Sequence, residues 1–70
     1  MGKTAITNNI RRLRFEADEM TQAELAELIG VTRQTLIAIE QAKYSPTLEL
    51  AFKIARVFGV PLDDVFKYPE

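Results

Sequence analysis

The sequence predicts a small all-α domain made of five short helices. Apolar residues recur at helical spacing between polar stretches, and no run of four or more residues alternates as a half-buried strand would. Residues that cap helix N-termini, and glycines that end helices, recur along the chain and divide it into five segments of helical length. These two observations predict an all-α fold.

Size and composition exclude several classes of protein. The chain has 70 residues, a formal charge of −1 and neither Cys nor His. A domain of this mass has roughly 4,400 Å² of accessible surface and buries only about 61% of what the unfolded chain exposes, so we expect one domain, 1–70, stabilised by a second copy. Disulfides, the usual zinc sites and the commonest general base are ruled out. We expect no cofactor, no metal and no small-molecule ligand.

The first helix is predicted from about Asn8 to Ala17, where apolar residues form one stripe. No N-terminal secretory signal precedes it, and no later segment is long and apolar enough to be a membrane span. We therefore expect a cytoplasmic protein with no membrane partner. The apolar stripe is formed by Ile6, Ile10, Leu13 and Ala17.

The second and third helices follow one another closely. Thr21 and Glu24 have the spacing of a capping box, so the second helix is expected to begin at Gln22. Gly30 is placed to end it, because glycine accepts the left-handed conformation that follows many helices. Thr32 then caps a third helix, expected from Arg33 to Gln41. The apolar positions of the second helix are Leu25, Leu28 and Ile29, and the third helix is expected to turn Leu36 and Ile39 inward.

A fourth and a fifth helix complete the domain. Thr47 caps a helix that Gly59 ends, and its charged residues form only a narrow stripe, which predicts a central helix of the core. A short fifth helix is expected within 60–66, and segments 1–7 and 67–70 are expected to be tails. The charged stripe consists of Glu49, Lys53 and Arg56.

The segment 22–41 has the spacing of a helix-turn-helix unit. Only about three residues separate its two helices. Ala26 is small where crossing helices approach each other most closely, and Gly30 stands where a Cβ is costly. The apolar residues at the remaining constrained positions are Leu25, Ile29, Val31, Leu36 and Ile39.

The sequence resembles the Xre family of transcriptional regulators, the helix-turn-helix type of the phage Cro and repressor proteins. The motifs that carry the resemblance run from Gln22 to Leu36 (QAELAELIGVTRQTL) and continue in Ile39-Glu40, Lys43–Pro46 and Ala51–Ala55. The resemblance covers about 10–66. It implies a five-helix, lambda-repressor-like domain that binds a two-fold-related operator in double-stranded DNA as a homodimer.

The resemblance also implies which residues contact DNA. The third helix would lie in the major groove and present Thr32, Arg33, Gln34 and Ala38 to the bases. The residue types agree with this role, because Arg suits guanine and Gln suits adenine. The expected contacts to the DNA backbone come from Gln22, Thr35, Gln41, Lys43 and Tyr44. The alternative for these polar residues is that they simply form a solvated helix surface.

A structural ion pair between Arg14 and Glu40 is a further implication of the resemblance. The sequence departs from the family pattern at two places that affect local structure. One residue more than usual separates Arg14 from Gln22, and Ala42 stands where the family commonly has Gly or Asn. If Ala42 is left-handed, it carries roughly 1–2 kcal/mol of strain.

These observations lead to the hypothesis of a sequence-specific DNA-binding regulator, in particular a repressor. The expected dimer interface consists of Leu62, Val65, Phe66 and Tyr68, although these residues could instead close the core of a monomer. The alternative function is an antitoxin-like module that uses the same scaffold to bind a protein. An enzyme would have to rely on Asp63-Asp64 and scattered Glu residues, and helix capping explains those two carboxylates more simply.

Overall fold

Five helices follow one another along the chain, and a short antiparallel ladder joins its two ends. The computed structural model describes residues 4–43 and 45–69. Within these ranges the all-α prediction is confirmed, and no helix is long and apolar enough to cross a membrane. The helices are α1 (Ile10–Glu16), α2 (Gln22–Ile29), α3 (Arg33–Glu40), α4 (Leu48–Phe58) and α5 (Leu62–Val65), and the strands are β1 (Thr7–Asn8) and β2 (Phe66–Lys67).

Three threonines cap the helices that the sequence predicted they would cap. The Thr21 hydroxyl accepts a hydrogen bond from the backbone N–H of Glu24, whose carboxylate accepts one from the N–H of Thr21, so the capping box is complete. Thr32 and Thr47 cap α3 and α4 in the same way, each by accepting a bond from an N–H three residues later. The predicted starts of α2, α3 and α4 are confirmed.

Helices α2, α3 and α4 all end in a left-handed residue. Gly30 and Gly59 have φ of 81° and 67°, and Ala42 occupies the equivalent position after α3 with φ of 59°. The N–H of Ala42 donates to the Ile39 carbonyl and that of Lys43 to the Ala38 carbonyl, both at 3.0 Å. This pair of bonds is a Schellman motif, which favours glycine at the position that Ala42 holds.

An unusual turn connects α1 to α2. Asp18 and Glu19 are both left-handed, with φ of 63° and 58°. The turn brings the backbone N–H of Met20 to the Arg14 carbonyl at 2.9 Å. The guanidinium Nη1 of Arg14 donates in return to the Met20 carbonyl, also at 2.9 Å. The connection therefore forms a closed loop around Arg14, next to the start of α2.

The core lies where all five helices meet, and one expectation about it was wrong. Leu28, an apolar position of the second helix, is 61% exposed because it lies on the outer side of α2. Val65 was expected at a dimer interface, yet it is completely buried, since the single turn of α5 directs it into the core. The fully buried large residues are Ile10, Leu25, Ile29, Leu36, Ile39, Ile54 and Val65.

The β1–β2 ladder pairs Thr7 and Lys67 of the two predicted tails, and also Asn8 and Phe66, which were expected in the first and fifth helices. Thr7 lies opposite Lys67 and Asn8 opposite Phe66 in antiparallel register. Each strand has two residues, too few for an alternating pattern to be visible in the sequence. The ladder ties the segment before α1 to the segment after α5.

Candidate nucleic-acid interface

The first turn of α3 presents two polar side chains to solvent. Arg33 and Gln34 are exposed, whereas Leu36 and Ile39, on the opposite side of the same helix, are buried. One face of α3 is thus packed in the core, and the opposite face is exposed to solvent. A protruding helix with this division of faces has the dimensions to enter the major groove of B-DNA.

Two hydroxyls occupy the N-terminus of α3. The Thr32 hydroxyl oxygen accepts the Thr35 N–H at 3.1 Å, and the two hydroxyl oxygens lie 3.0 Å apart in a hydrogen bond. Thr32 is exposed and Thr35 is half-buried. The Thr32 hydroxyl oxygen therefore already caps α3 in the free protein.

The exposed face of α3 continues through two apolar residues. Ala38 is half-buried one turn after Gln34, and Ile37 is half-buried one turn after Arg33. Sequence reasoning included Ala38 but missed Ile37. The signal was its position four residues after Arg33, which places the two side chains on neighbouring parts of one helix surface.

An ion pair fixes the end of α3 against α1 and α2. Arg14 Nε donates to Glu40 Oε2 at 2.8 Å and Arg14 Nη2 to Glu40 Oε1 at 3.1 Å. Both side chains are largely buried, with 14% and 9% of their surfaces exposed. Gln22 Nε2 also donates to Glu40 Oε1, at 3.2 Å. The structure thus brings Arg14, Glu40 and Gln22 into one network, despite the extra residue before α2.

A polar cleft lies beside this network. Gln22, at the start of α2, and Gln41, directly after α3, both line it together with the exposed Arg11. The carboxylate-bearing Glu19 also lines the cleft. The cleft is lined by two arginine, three amide and two carboxylate side chains: Arg11, Arg14, Asn8, Gln22, Gln41, Glu19 and Glu40.

Lys43 and Tyr44, two of the residues predicted to contact the DNA backbone, follow α3 in the sequence. Lys43 is exposed and follows the left-handed Ala42, which turns the chain away from the axis of α3. Tyr44 lies outside the described residues. Within the described part of the chain, the residues predicted to contact bases or phosphates all lie on α3, at its ends or at the start of α2.

An apolar groove lies between the N-terminal half of α4 and the end of the chain. Although α4 was expected to be a central helix of the core, its Leu48 and Phe52 are 68% and 50% exposed. Tyr68 is 74% exposed two residues after Phe66, while Leu62 and Phe66 are half-buried. We define the apolar groove by its lining residues Ile6, Ser45, Pro46, Leu48, Ala51, Leu62 and Phe66.

Comparison with known families decides what kind of domain this is. A family model described as helix-turn-helix matches residues 10–65, which is most of the chain. The chain belongs to the helix-turn-helix family. The match to this helix-turn-helix family confirms the resemblance drawn from the sequence, and the family is one of DNA-binding regulators and not of enzymes.

Several curated regulators are similar to this helix-turn-helix protein. An uncharacterized HTH-type transcriptional regulator of Methanocaldococcus jannaschii is 57% identical over 51 residues, which cover 73% of this chain and 77% of that protein. The HTH-type regulator YgzD of Bacillus subtilis is 44% identical, covering 84% of this chain and 88% of the relative. The phage transcriptional repressor RstR of Vibrio cholerae is 41% identical, covering 84% of this chain and 52% of the repressor.

A solved structure shows the same fold. The crystal structure of a Bacteroides fragilis protein superimposes with a TM-score of 0.77, covering 89% of this chain and 98% of that one. The two sequences are 24% identical. At this identity, the likeness shows the fold alone.

Proposed function

We propose that this helix-turn-helix protein is a cytoplasmic repressor that binds a two-fold-related operator in double-stranded DNA as a homodimer. The observation that carries the proposal is the exposed first turn of α3, which presents Arg33 and Gln34 on a helix whose other face is buried. The similarity to the repressor RstR supports repression rather than activation. In the proposed complex α3 lies in the major groove and acts as the recognition helix.

Base reading is assigned to the exposed face of the recognition helix. Arg33 can donate two hydrogen bonds to O6 and N7 of guanine, and Gln34 can pair with N6 and N7 of adenine. Ile37 and Ala38 can contact the methyl group of thymine, since both offer apolar surface beside these polar residues. Thr32 contributes mainly by fixing the first turn, because its oxygen already caps the helix.

Phosphate contacts are assigned to the ends of α2 and α3. The Gln22 amide donates one N–H to Glu40 and has a second N–H with which to bind a phosphate. The same role is proposed for Thr35, Gln41, Lys43 and, from the family resemblance, Tyr44. Such contacts position the protein without reading sequence, so they predict an affinity that falls as salt concentration rises.

Two substitutions separate base reading from phosphate binding. Arg33→Ala is expected to cost about 1–3 kcal/mol on the preferred operator and to relax specificity at one base pair. Lys43→Ala is expected to weaken binding to all sequences by a similar factor and to reduce the slope of affinity against salt. Binding is measured across a randomised operator library. An Arg33→Ala profile identical in shape to that of the wild type would reject the base-reading assignment.

The proposed dimer interface is the apolar groove together with Phe52 and Tyr68. Leu48 and Phe52 lie one turn apart on α4, so they form one exposed surface that continues into the groove. A stable dimer buries about 800 Å² on each partner. That area is about one sixth of the 4925 Å² of accessible surface of this chain. Leu62, Phe66 and Tyr68 remain in the interface, and Val65 is removed from it.

Sedimentation of matched leucine variants tests the interface. Leu48 and Leu28 are exposed to a similar extent, 68% and 61%, but Leu28 lies on α2 and does not line the groove. The wild type and Leu28→Lys are expected to sediment with twice the 7.9 kDa mass of the chain, and Leu48→Lys as the monomer. A wild-type monomer at micromolar concentration would reject the homodimer, and a dimeric Leu48→Lys would reject its placement.

A further inference from the structure

The segment before α1 makes contact with the end of the recognition helix. Asn8 Nδ2 donates to the carbonyl oxygens of Ile39 and Glu40, at 3.1 and 3.2 Å. The backbone N–H of Thr4 donates to the carbonyl of Ala42 at 3.0 Å. These three acceptors lie in the last turn of α3 and its Schellman turn. The segment 4–8 therefore fixes the C-terminal end of the helix that is proposed to read DNA.

The same segment is bonded to the opposite part of the molecule. Asn8 pairs with Phe66 in the β1–β2 ladder, and the N–H of Asn9 donates to the Val65 carbonyl at 2.8 Å. Phe66 lines the apolar groove. The backbone at Asn8 and Asn9 is thus held beside Val65 and Phe66, at the edge of the proposed dimer interface, whereas the Asn8 side chain is bonded to the recognition helix.

The Asn8 side chain is suited to hold a fixed orientation. Its Oδ1 accepts the N–H of Ile10 at 3.1 Å while its Nδ2 makes the two bonds to α3, so both ends of the amide are engaged. The Glu40 that it contacts through the backbone is held through its carboxylate by Arg14 and Gln22. The end of α3 is consequently fixed from two directions.

We infer that Asn8 is a positioning residue that sets the recognition helix relative to the dimer interface, and thereby the half-site spacing that the dimer accepts. The inference rests on the proposed function as a dimeric DNA-binding protein. A homodimer presents two recognition helices, and their separation must match half-sites about one helical turn apart, roughly 34–36 Å. A bond that fixes α3 relative to the interface acts on this separation twice, once in each subunit.

Asn8→Ser removes the connection while retaining the local structure. A serine hydroxyl can still accept the N–H of Ile10 two residues later, but it is too short to reach the α3 carbonyls. Asn8→Asp is a second variant, which keeps the shape and the bond to Ile10 and replaces the amide donor by a carboxylate. Asn9→Ser is the matched control, because the Asn9 side chain donates to the Asp64 carbonyl at 3.0 Å, in α5 rather than α3.

The experiment measures binding to paired half-sites with different spacers. The half-site is taken from duplex DNA that the wild-type protein selects from a random library, and the spacer is changed by one or two base pairs. The wild type and Asn9→Ser are expected to prefer one spacer by about tenfold or more, and Asn8→Ser and Asn8→Asp to lose most of that preference. The readout is a ratio within one preparation, so an unfolded fraction cancels.

The possible outcomes separate the inference from the proposed function. If the two Asn8 variants retain the wild-type spacer profile, even with a lower melting temperature, Asn8 has only a structural role and the inference is overturned. If Asn9→Ser loses the preference as well, the assignment to the α3 contact is overturned. A wild-type protein that selects no paired half-sites would reject the proposed homodimer and, with it, this inference.

Discussion

Ala42→Gly should stabilise the protein, because Ala42 has the backbone conformation that glycine adopts most easily. Its φ is 59°, and the Schellman bonds of Ala42 and Lys43 hold it there. A left-handed conformation costs an L-residue about 1–2 kcal/mol. Glycine also loses more entropy on folding, which offsets about 0.4–1 kcal/mol of that gain. We therefore expect the free energy of unfolding to rise by about 0.5–1 kcal/mol.

Urea denaturation of wild type and variant at one protein concentration measures this change. For a domain of this size the gain corresponds to a rise in melting temperature of about 2–8 °C. Ala38→Gly is the matched control, since Ala38 lies within α3, where the same change should cost about 1 kcal/mol. Equal destabilisation by both substitutions would refute the reasoning, because it would show that Ala42 is not held in the left-handed region.

Three further predictions concern the ion pair, the helix caps and the turn after α1. Glu40→Ala should lower the free energy of unfolding by about 3–5 kcal/mol, since it leaves Arg14 largely buried without its partner. Glu16→Ala, which breaks the exposed pair with Arg12, should lower it by under about 1 kcal/mol. Similar losses for both variants in urea titrations would contradict the structural role of the Arg14–Glu40 pair. Thr32→Ala and Thr47→Ala should each lower the free energy of unfolding by about 1 kcal/mol. Only Thr32→Ala should also weaken DNA binding, so equal affinities of the two variants in a gel-shift titration would contradict the role of α3 in DNA binding. Glu19→Asn should raise the melting temperature, because asparagine tolerates the φ of 58° in this turn. It should also raise the affinity for duplex DNA at low salt by about threefold, because it removes a carboxylate from the cleft. Asp63→Asn, in α5, is the control for charge alone.

The boundaries of α2 and α4 and the start of α3 were predictable because their causes are local in sequence, whereas α1, expected from Asn8 to Ala17, is Ile10–Glu16. Thr21, Thr32 and Thr47 each bond an N–H three residues later, and Gly30 and Gly59 each end a helix in the residue type that its φ requires. A cap needs no information from distant parts of the chain. The same is true of the exposed first turn of α3, which follows directly from the position of Thr32 and the spacing of the buried residues.

The features that the sequence did not reveal depend on packing between distant segments. Whether an apolar residue is buried depends on what lies opposite it, and the helical pattern does not reveal that Leu28, Leu48 and Phe52 are each at least 50% exposed. The β1–β2 ladder and the bonds from Asn8 to α3 join residues more than thirty positions apart and involve backbone atoms, which every residue type possesses. Neither has a signature in a single sequence.

Methylation interference on a selected operator tests most directly whether α3 reads the major groove. Dimethyl sulfate methylates N7 of guanine, in the major groove, and N3 of adenine, in the minor groove, so a single experiment reports on both. We predict that guanine methylation blocks wild-type binding at two positions about one helical turn apart, and that Arg33→Ala is insensitive to it there. Interference confined to adenine N3, or identical patterns for the wild type and Arg33→Ala, would contradict the account.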